Sequence, residues 1–160
     1  MLNFDNRGLL TPTTNILSSV EEFKQVFVDE ILFSSTRLSN FNNYIKYSDA
    51  LKKMLNGQPI LQWINGSFVT QIIEPKDIDM VSFIDYEICQ QLGTALEDFG
   101  AYKSVNVYGV DAYIVPVYPE KHIQHFYYKS DWAYWNDKFT KTRRDRSGNR
   151  NNKGYLEIIY

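Results

Sequence analysis

Two aspartates separated by a single residue, Asp77 and Asp79, are the strongest chemical feature of this 160-residue sequence. They are embedded among Ile78, Met80 and Val81, which predicts a buried strand rather than an exposed turn. On a strand, residues i and i+2 project from the same face, so the two carboxylates would lie side by side. Adjacent carboxylates repel each other, and a hard divalent cation neutralises them well. The pair therefore indicates a metal site.

A turn suited to phosphate precedes this pair, at Gly66-Ser67. Glycine lets the backbone approach an anion closely, and serine adds a hydroxyl donor. A polymerase-type centre also needs a third carboxylate on a neighbouring strand, because its two metal ions, about 3.5–4 Å apart, clamp the entering and leaving oxygens. Asp111, inside the apolar and aromatic run 107–117, is the candidate, and Asp85 is a substitute that falls at the end of its strand. The alternative for Asp111 is a solvent-facing strand residue.

The segment 63–70, which reads Trp-Ile-Asn-Gly-Ser-Phe-Val-Thr, and the segment 75–81, which reads Pro-Lys-Asp-Ile-Asp-Met-Val, together resemble the signature of the DNA polymerase β-type nucleotidyltransferase superfamily. The resemblance is to its minimal, uncharacterised small bacterial members. In that superfamily an apolar-Gly-Ser motif precedes a paired-acid motif, and a third acid lies on a later strand. Weaker matches at 6–12, 145–148, 153–154 and 157–158 extend the resemblance over most of the chain.

The resemblance implies a metal-dependent enzyme that moves a nucleotidyl group from a nucleoside triphosphate, such as ATP, to a hydroxyl acceptor, using Mg²⁺ or Mn²⁺. The acceptor could be a protein or an RNA, and the small members' location near mobile elements or defence loci suggests a toxin-antitoxin or phage-defence context. The residues carried over are Asp77, Asp79 and Asp111 for catalysis and metal binding, and Gly66, Ser67, Arg146 and Lys153 for substrate binding.

A second hypothesis is a non-catalytic module of the same fold, which binds a nucleotide or, like an antitoxin, a protein partner. Larger superfamily members carry extra domains for the base and the acceptor, and 160 residues leave little room for them, so a partner could supply that surface. Two other enzyme classes fit less well. Glu74-Pro75-Lys76 resembles the Glu-x-Lys of a metal nuclease, but proline disfavours a central strand. Sugar-nucleotide transferases share the paired acids but usually need a larger nucleotide-binding domain.

Charge is distributed unevenly along the chain. Residues 138–160 contain seven Lys or Arg against two acids, a net charge of +5, whereas the whole chain carries −2 and residues 1–137 therefore −7. This basic end predicts either a grip on a triphosphate or RNA backbone, or a solvated loop. The lone Cys89 excludes an internal disulfide, and no apolar run approaches the ~18 residues of a membrane span. With a mixed, polar stretch at 1–10, these features predict a cytoplasmic protein with no membrane contact.

The elements that must position these residues follow from apolar periodicity and from Gly and Pro breaks. We expect a single nucleotidyltransferase-like domain over 1–160, of the α/β (α+β) class, with helices packed on a small mixed sheet. An extended arm covers 1–17, and a basic mobile loop covers 138–153. Helices are predicted at 19–33, 36–56, 88–100 and 119–137, and strands at 60–64, 78–84, 105–117 and 155–160.

Two further groups carry a structural alternative. His122 and His125 are spaced to reach one metal from a helix, but no acid or cysteine accompanies them, so surface or interface histidines are expected. The aromatic residues at 127, 128, 132, 134 and 135 could stack on a base, although an aromatic helix face packed on the sheet is the more common arrangement.

Overall fold

The computed structural model describes residues 2–160, which form one mixed arrangement of helices and strands. In chain order the elements are β1 (Asn3–Phe4), β2 (Leu10–Thr11), β3 (Asn15–Ser18), α1 (Val20–Lys24), α2 (Arg37–Met54), β4 (Leu61–Asn65), β5 (Asp79–Asp85), α3 (Tyr86–Leu92), α4 (Ala101–Tyr108), β6 (Asp111–Val117), α5 (His125–Phe139) and β7 (Tyr155–Ile159). A π-helical turn, Gln25–Asp29, extends α1, and a 3₁₀ segment, Gly93–Phe99, follows α3.

Five strands form the central sheet in the order β3-β7-β4-β5-β6, while β1 and β2 pair in a small separate hairpin. The β3/β7 and β5/β6 pairs are parallel, and the β7/β4 and β4/β5 pairs are antiparallel. A parallel pair needs a crossover connection, which the segment containing α3 and α4 supplies between β5 and β6. The predicted fold class, a mixed sheet with helices packed on it, is confirmed.

The two faces of the sheet support two separate cores, because successive strand residues point to opposite sides. Residues from helices α1 to α4 pack on one face, where the buried side chains include Phe23, Tyr44, Leu51, Ile64, Met80 and Leu156. Helix α5 packs on the other face, where the buried side chains include Trp63, Val81, Val115, Trp135, Phe139 and Tyr155. These sides are called the α2 face and the α5 face below.

Most predicted elements are confirmed, with three differences in extent. The helix predicted at 88–100 is divided into α3, which ends at Leu92, and the 3₁₀ segment Gly93–Phe99. The first predicted helix, 19–33, ends at Asp29 as a π-helical turn, and the last begins at His125 rather than at 119. Residues 119–124 instead form turns, one of which is closed by the His122 amide donating to the Pro119 carbonyl at 2.9 Å. No helix within residues 2–160 is long and apolar enough to cross a membrane.

The predicted strand over 105–117 is wrong in its first part, because residues 101–108 form helix α4 and only Asp111–Val117 is a strand. Gly109, at φ +76°, ends the helix in the left-handed region that glycine adopts without strain. Val105 and Val107 are 42% and 45% exposed, so their alternation does not reflect burial in a sheet. The Ser104 hydroxyl donates to the Val110 carbonyl at 2.9 Å and thereby ties the helix to the start of β6.

The segment between α5 and β7, residues 140–153, is named the basic loop. Its two arms run antiparallel and are joined by two backbone hydrogen bonds. The Thr142 amide donates to the Asn151 carbonyl at 2.8 Å, and the Lys153 amide donates to the Thr140 carbonyl at 2.9 Å. The Arg7 side chain, in the N-terminal arm, donates to the Asn151 side chain at 2.7 Å. The basic loop is thus connected to the arm that precedes the sheet.

Candidate functional site

A row of three polar residues crosses neighbouring strands at one end of the sheet. Asn65 at the end of β4 pairs with Asp79 at the start of β5, and Asp79 pairs with Asp111 at the start of β6. Residues in register on adjacent strands project from the same face, which here is the α5 face because Trp63 and Val81 alternate in phase with the row. The strand pairing therefore places two of the three predicted acids next to each other.

Asp77 lies two residues before β5 and is half-buried. The chain is already paired with its neighbour at this point, since the Asp111 amide donates to the Ile78 carbonyl at 2.9 Å. Ile78 is fully buried on the α2 face, so Asp77 and Asp79 flank a residue that points into the core. The predicted strand, 78–84, begins one residue later, and Asp77 belongs to the segment that leads into it.

Asp79 is largely buried, with 16% of its side chain exposed. Burial raises its pKa, and repulsion from Asp77 and Asp111 raises the pKa further, against the opposing charges of Arg143 and Lys153. Arg143 Nη2 lies 3.6 Å from Asp79 Oδ1. The ionised form of Asp79 is therefore disfavoured by its surroundings unless positive charge is brought close to it.

Gly66 is needed in the turn after β4 for two reasons. Its φ of +81° lies in the left-handed region, and a Cβ at this position would overlap Asp79 Oδ2. Ser67 follows, and its carbonyl accepts a hydrogen bond of 2.7 Å from the Thr70 hydroxyl. The predicted Gly-Ser turn thus lies directly against the predicted metal-binding carboxylate.

Lys153, at the end of the basic loop, is only 3% exposed. Its Nζ donates to the Gly66 carbonyl at 2.7 Å, which fixes the ammonium group against the Gly-Ser turn. Burial lowers its pKa to about 8, and the nearby charge of Asp79 partly opposes this decrease. A buried cation with a single hydrogen-bond partner can offer its remaining donors to an anion.

A cavity of about 430 Å³ opens at this end of the sheet. It is lined by Asp77, Asp79 and the Gly66-Ser67 turn, and by six basic residues, namely Lys76, Lys138, Lys141, Arg143, Arg150 and Lys153. Arg146 does not line the cavity, because it lies at the exposed tip of the basic loop, where the Gly148 amide closes a turn onto the Asp145 carbonyl. Asp111 is not among the lining residues either, and it lies beside the cavity-lining Asp79 in the register of the sheet.

Lys138 belongs to the basic run predicted to grip a triphosphate or RNA backbone, from which Arg146 and Lys153 are the residues predicted to bind substrate. Its Nζ lies 4.4 Å from the centroid of the Trp135 ring and 5.4 Å from that of Tyr113, distances at which an ammonium group is attracted to the ring faces. Burial and the charge of Asp111 raise the pKa of Tyr113, so this phenol lies near the acid row. The sequence does contain a signal for this contact, because Trp135 and Lys138 are three residues apart and such a pair lies on one face of a helix.

Arg37, at the start of α2, was not predicted from the sequence. Its guanidinium is fully buried and donates to the main-chain carbonyls of Phe27, Phe68 and Thr70 at 2.8–2.9 Å, and also to that of Ile72. These bonds hold the segment that follows the Gly-Ser turn. Burial lowers the pKa of Arg37 to about 10. Only its position in the first turn of a helix was visible in the sequence, which gives no indication of this contact.

The donor set at the acid row has the chemistry of a site for a hard cation. Carboxylate and amide oxygens suit Mg²⁺ and Mn²⁺, and the row offers both kinds. The side chains as placed do not enclose an ion, since residues 2–160 contain no group of three or more His, Cys, Asp or Glu arranged to hold a metal. The residues therefore fit the predicted cation by type, while their carboxylates are separate in this conformation.

The histidines and most aromatic residues lie away from the cavity. The His122 ring packs on Tyr86 and Tyr118, and His125 Nδ1 lies 2.8 Å from the Tyr118 carbonyl. Trp135 is buried on the α5 face, as expected for an aromatic helix packed on the sheet. Residues 127, 132 and 134 are exposed, and none of them lines the cavity.

Comparison with known proteins gives one match. The model of a family described as a family of unknown function (DUF6932) matches residues 2–159. No curated protein and no solved structure matches the chain. The match spans nearly the whole chain but brings no activity with it, so any function must be inferred from the site.

Proposed function

The chain belongs to DUF6932, a family of unknown function, and we propose that this member is a metal-dependent nucleotidyltransferase. The observation that carries the proposal is the meeting of opposite charges in one cavity. Asp79, buried beside Asp77 and in register with Asp111, lies against the Gly66 turn, while six basic side chains line the same cavity. A metal-bound triphosphate has both of the properties that such a cavity selects, because it presents cation and anion together.

The acids would hold the cation, which we propose is Mg²⁺, with Mn²⁺ as a substitute. Asp79 and Asp77 line the cavity, and Asp111 is the next residue along the row. When bound, such a cation supplies polarisation of the α-phosphate and neutralisation of the pyrophosphate leaving group. Its charge would also offset the burial and the repulsion that together raise the pKa of Asp79.

The basic residues would hold the triphosphate. The Gly66-Ser67 turn offers backbone amides and a hydroxyl, and Lys153 keeps that turn in place through the Gly66 carbonyl. Arg143 is 86% exposed and rests on Asp79 at 3.6 Å, so it is free to exchange this weak ion pair for a phosphate. Lys138, held over its aromatic rings, presents a fixed positive charge beside the cavity.

In the transfer itself, the acceptor oxygen bonds to the α-phosphorus as the bond from that phosphorus to pyrophosphate breaks. The hydroxyl proton passes to a carboxylate oxygen, a role that we assign to Asp111. Catalysis would rest mainly on positioning and charge stabilisation, as is general for phosphoryl chemistry. We place the protein in the cytoplasm, where nucleoside triphosphates are available and a lone thiol stays reduced. The proposed acceptor is a protein or an RNA, and the proposed setting is a toxin-antitoxin or phage-defence system.

The proposal is tested by transfer of label from α-labelled ATP, CTP, GTP or UTP, with Mg²⁺, to the total protein or the total RNA of a cell extract. Wild type is compared with the Asp77→Ala/Asp79→Ala double variant and with Asp85→Asn. Asp85 lies at the opposite end of β5, where its side chain accepts from the Glu87 amide, and asparagine preserves that cap.

Label carried into protein or RNA by wild type and Asp85→Asn, and lost in the double variant, is the expected result. Equal labelling by wild type and the double variant would refute the site assignment. Binding of a triphosphate without transfer to any acceptor would favour the non-catalytic nucleotide- or partner-binding module. Two observations favour that second candidate: Asp79 already faces Arg143, and the acids of residues 2–160 are not arranged to hold a metal ion.

A further inference from the structure

One buried polar atom in the site has no partner. Asn65 is only 5% exposed, and its Oδ1 is the single buried side-chain nitrogen or oxygen within residues 2–160 that makes no hydrogen bond. Leaving a buried acceptor unpaired costs about 1–3 kcal/mol, and native proteins contain few such groups. An unsatisfied acceptor of this kind beside a cavity is available to a ligand that enters it.

The position of Asn65 shows where such a ligand would lie. It is the last residue of β4, immediately before the Gly66-Ser67 turn, and it lines the cavity. Its pairing with Asp79 puts its side chain on the α5 face beside the buried carboxylate, and Asp111 continues the row on the next strand. The unpaired amide thus lies next to the Asp79 carboxylate in the register of the sheet.

We propose that the side-chain amide oxygen of Asn65 is a ligand of the divalent cation, so that Asn65 joins the three acids at the end of the row that Asp79 and Asp111 continue across the sheet. This inference rests on the proposed function and makes its metal site more specific. Mg²⁺ and Mn²⁺ accept carbonyl oxygens as well as carboxylates, and an asparagine serves as a metal ligand in protein kinases. A neutral oxygen completes the site without adding to the repulsion among the three acids.

A second amide on the same strand shows what a structural role looks like. Gln62 is fully buried three residues earlier on the α2 face. Its Oε1 accepts from the Tyr44 hydroxyl at 2.9 Å, and its Nε2 donates to the Ser48 hydroxyl at 3.1 Å. Both ends of Gln62 are satisfied within the protein, whereas the corresponding partner of Asn65 Oδ1 is absent from the described chain.

The test measures Mn²⁺ binding by calorimetry and by electron paramagnetic resonance, together with thermal unfolding of the metal-free protein. Wild type, Asn65→Ala, Asn65→Asp, Asp79→Asn and the matched control Gln62→Ala are compared, with and without a non-hydrolysable triphosphate. We expect Asn65→Ala to weaken Mn²⁺ binding at least about tenfold, the scale seen when metal-site residues are removed. Its melting temperature should not fall, because no hydrogen bond is lost. Gln62→Ala should show the reverse pattern, with a lower melting temperature and an unchanged Mn²⁺ affinity.

Asn65→Asp keeps the shape of the side chain and decides the case if the alanine variant does not fold. A carboxylate that touches the cation tightens Mn²⁺ binding, whereas a carboxylate at a merely structural position leaves the affinity unchanged. Unchanged Mn²⁺ affinity in both Asn65 variants, beside a loss in Asp79→Asn, would overturn this inference and leave the proposed function standing. Wild type that binds no Mn²⁺, with or without the triphosphate, would overturn both. Asn65-dependent Mn²⁺ binding without any nucleotidyl transfer would overturn the proposed function alone.

Discussion

The two faces of the sheet treat their buried polar groups in opposite ways. On the α2 face, the amide of Gln62 and the guanidinium of Arg37 are bonded to hydroxyls and main-chain carbonyls of the protein itself. On the α5 face, within the described residues 2–160, the amide oxygen of Asn65 has no hydrogen-bond partner and the ammonium group of Lys153 has only the Gly66 carbonyl. Gln62 and Arg37 are therefore satisfied within the protein, whereas Asn65 is unsatisfied and Lys153 is satisfied only in part.

This difference indicates which face can contribute free energy to the binding of a ligand. A buried polar group that is fully bonded stabilises one conformation and has little left to offer a ligand. A buried polar group that lacks partners destabilises the free protein, and the cost is recovered when a ligand supplies them. The α5 face also contains the acid with the raised pKa and the lysine with the lowered pKa, a combination that is typical of functional sites.

The largest effect should come from Asp79→Asn. We expect nucleotidyl transfer to fall at least about 1,000-fold, equivalent to about 4 kcal/mol of transition-state stabilisation. Stability should move the other way. Because the pKa of Asp79 is raised in the folded protein, wild type loses stability as the pH rises through that raised value. The neutral variant avoids this loss and should melt no lower than wild type at neutral pH, as checked by calorimetry. A large drop in melting temperature would mean that Asp79 stabilises the folded protein, as Gln62 and Arg37 do. Asp85→Asn serves as the control.

The next effect should come from the other face, with Arg37→Met. Removing the guanidinium leaves the carbonyls of Phe68, Thr70 and Ile72 without their donor in a buried setting. We expect the free energy of unfolding to fall by about 3 kcal/mol in urea titrations, a large fraction of the 5–15 kcal/mol of a typical domain. The exposed Arg144→Met is the matched control and should change it little. A stable Arg37→Met protein would break the contrast between the faces.

Much of the site could be predicted because its motifs are local. The Gly-Ser turn and the pair Asp77 and Asp79 depend on short spacing and strand alternation, and Asp111 followed from the length of chain needed to return to an adjacent strand. Asn65 stood in the same motif, but an orphaned acceptor is a property of packing that no sequence pattern shows. Arg37 was invisible for the same reason, since its partners are carbonyls distant along the chain.

The errors arose where tertiary contacts outweigh local pattern. The valines at 105 and 107 suggested a strand, but docking of Ser104 on β6 and the left-handed Gly109 give a short helix. In the basic loop, the sequence offered several equivalent cations, and the resemblance pointed to Arg146. The pairing of the two arms decides instead that Arg143 and Arg150 line the cavity.

A smaller effect concerns the buried cation Lys153 and the dependence of the free energy of unfolding on pH. The pKa of Lys153 is lowered to about 8 in the folded protein, below the value of about 10.4 for an unfolded lysine. Between these values the unfolded chain binds more protons, so the free energy of unfolding contributed by this group rises with pH. In metal-free protein, wild type should gain about 2 kcal/mol relative to Lys153→Met between about pH 8 and about pH 10. Urea titrations at several pH values measure this. If the free energy of unfolding depended on pH in the same way for the two proteins, burial would not lower the pKa of Lys153.

The smallest effect concerns the rim of the cavity and compares Arg143 with Arg146. Arg143 lines the cavity and lies 3.6 Å from Asp79, whereas Arg146 is at the tip of the same loop and does not line it. We expect Arg143→Ala to raise the KM for the triphosphate about tenfold, close to 1.4 kcal/mol, without changing the melting temperature, because an exposed ion pair contributes little to stability. Arg146→Ala should leave KM within about twofold, on the scale of surface substitutions. The opposite ranking would mean that the basic loop rearranges when nucleotide binds and brings its tip to the phosphates. In that case the groups available to a ligand would include the tip of the basic loop as well as Asn65 and Lys153.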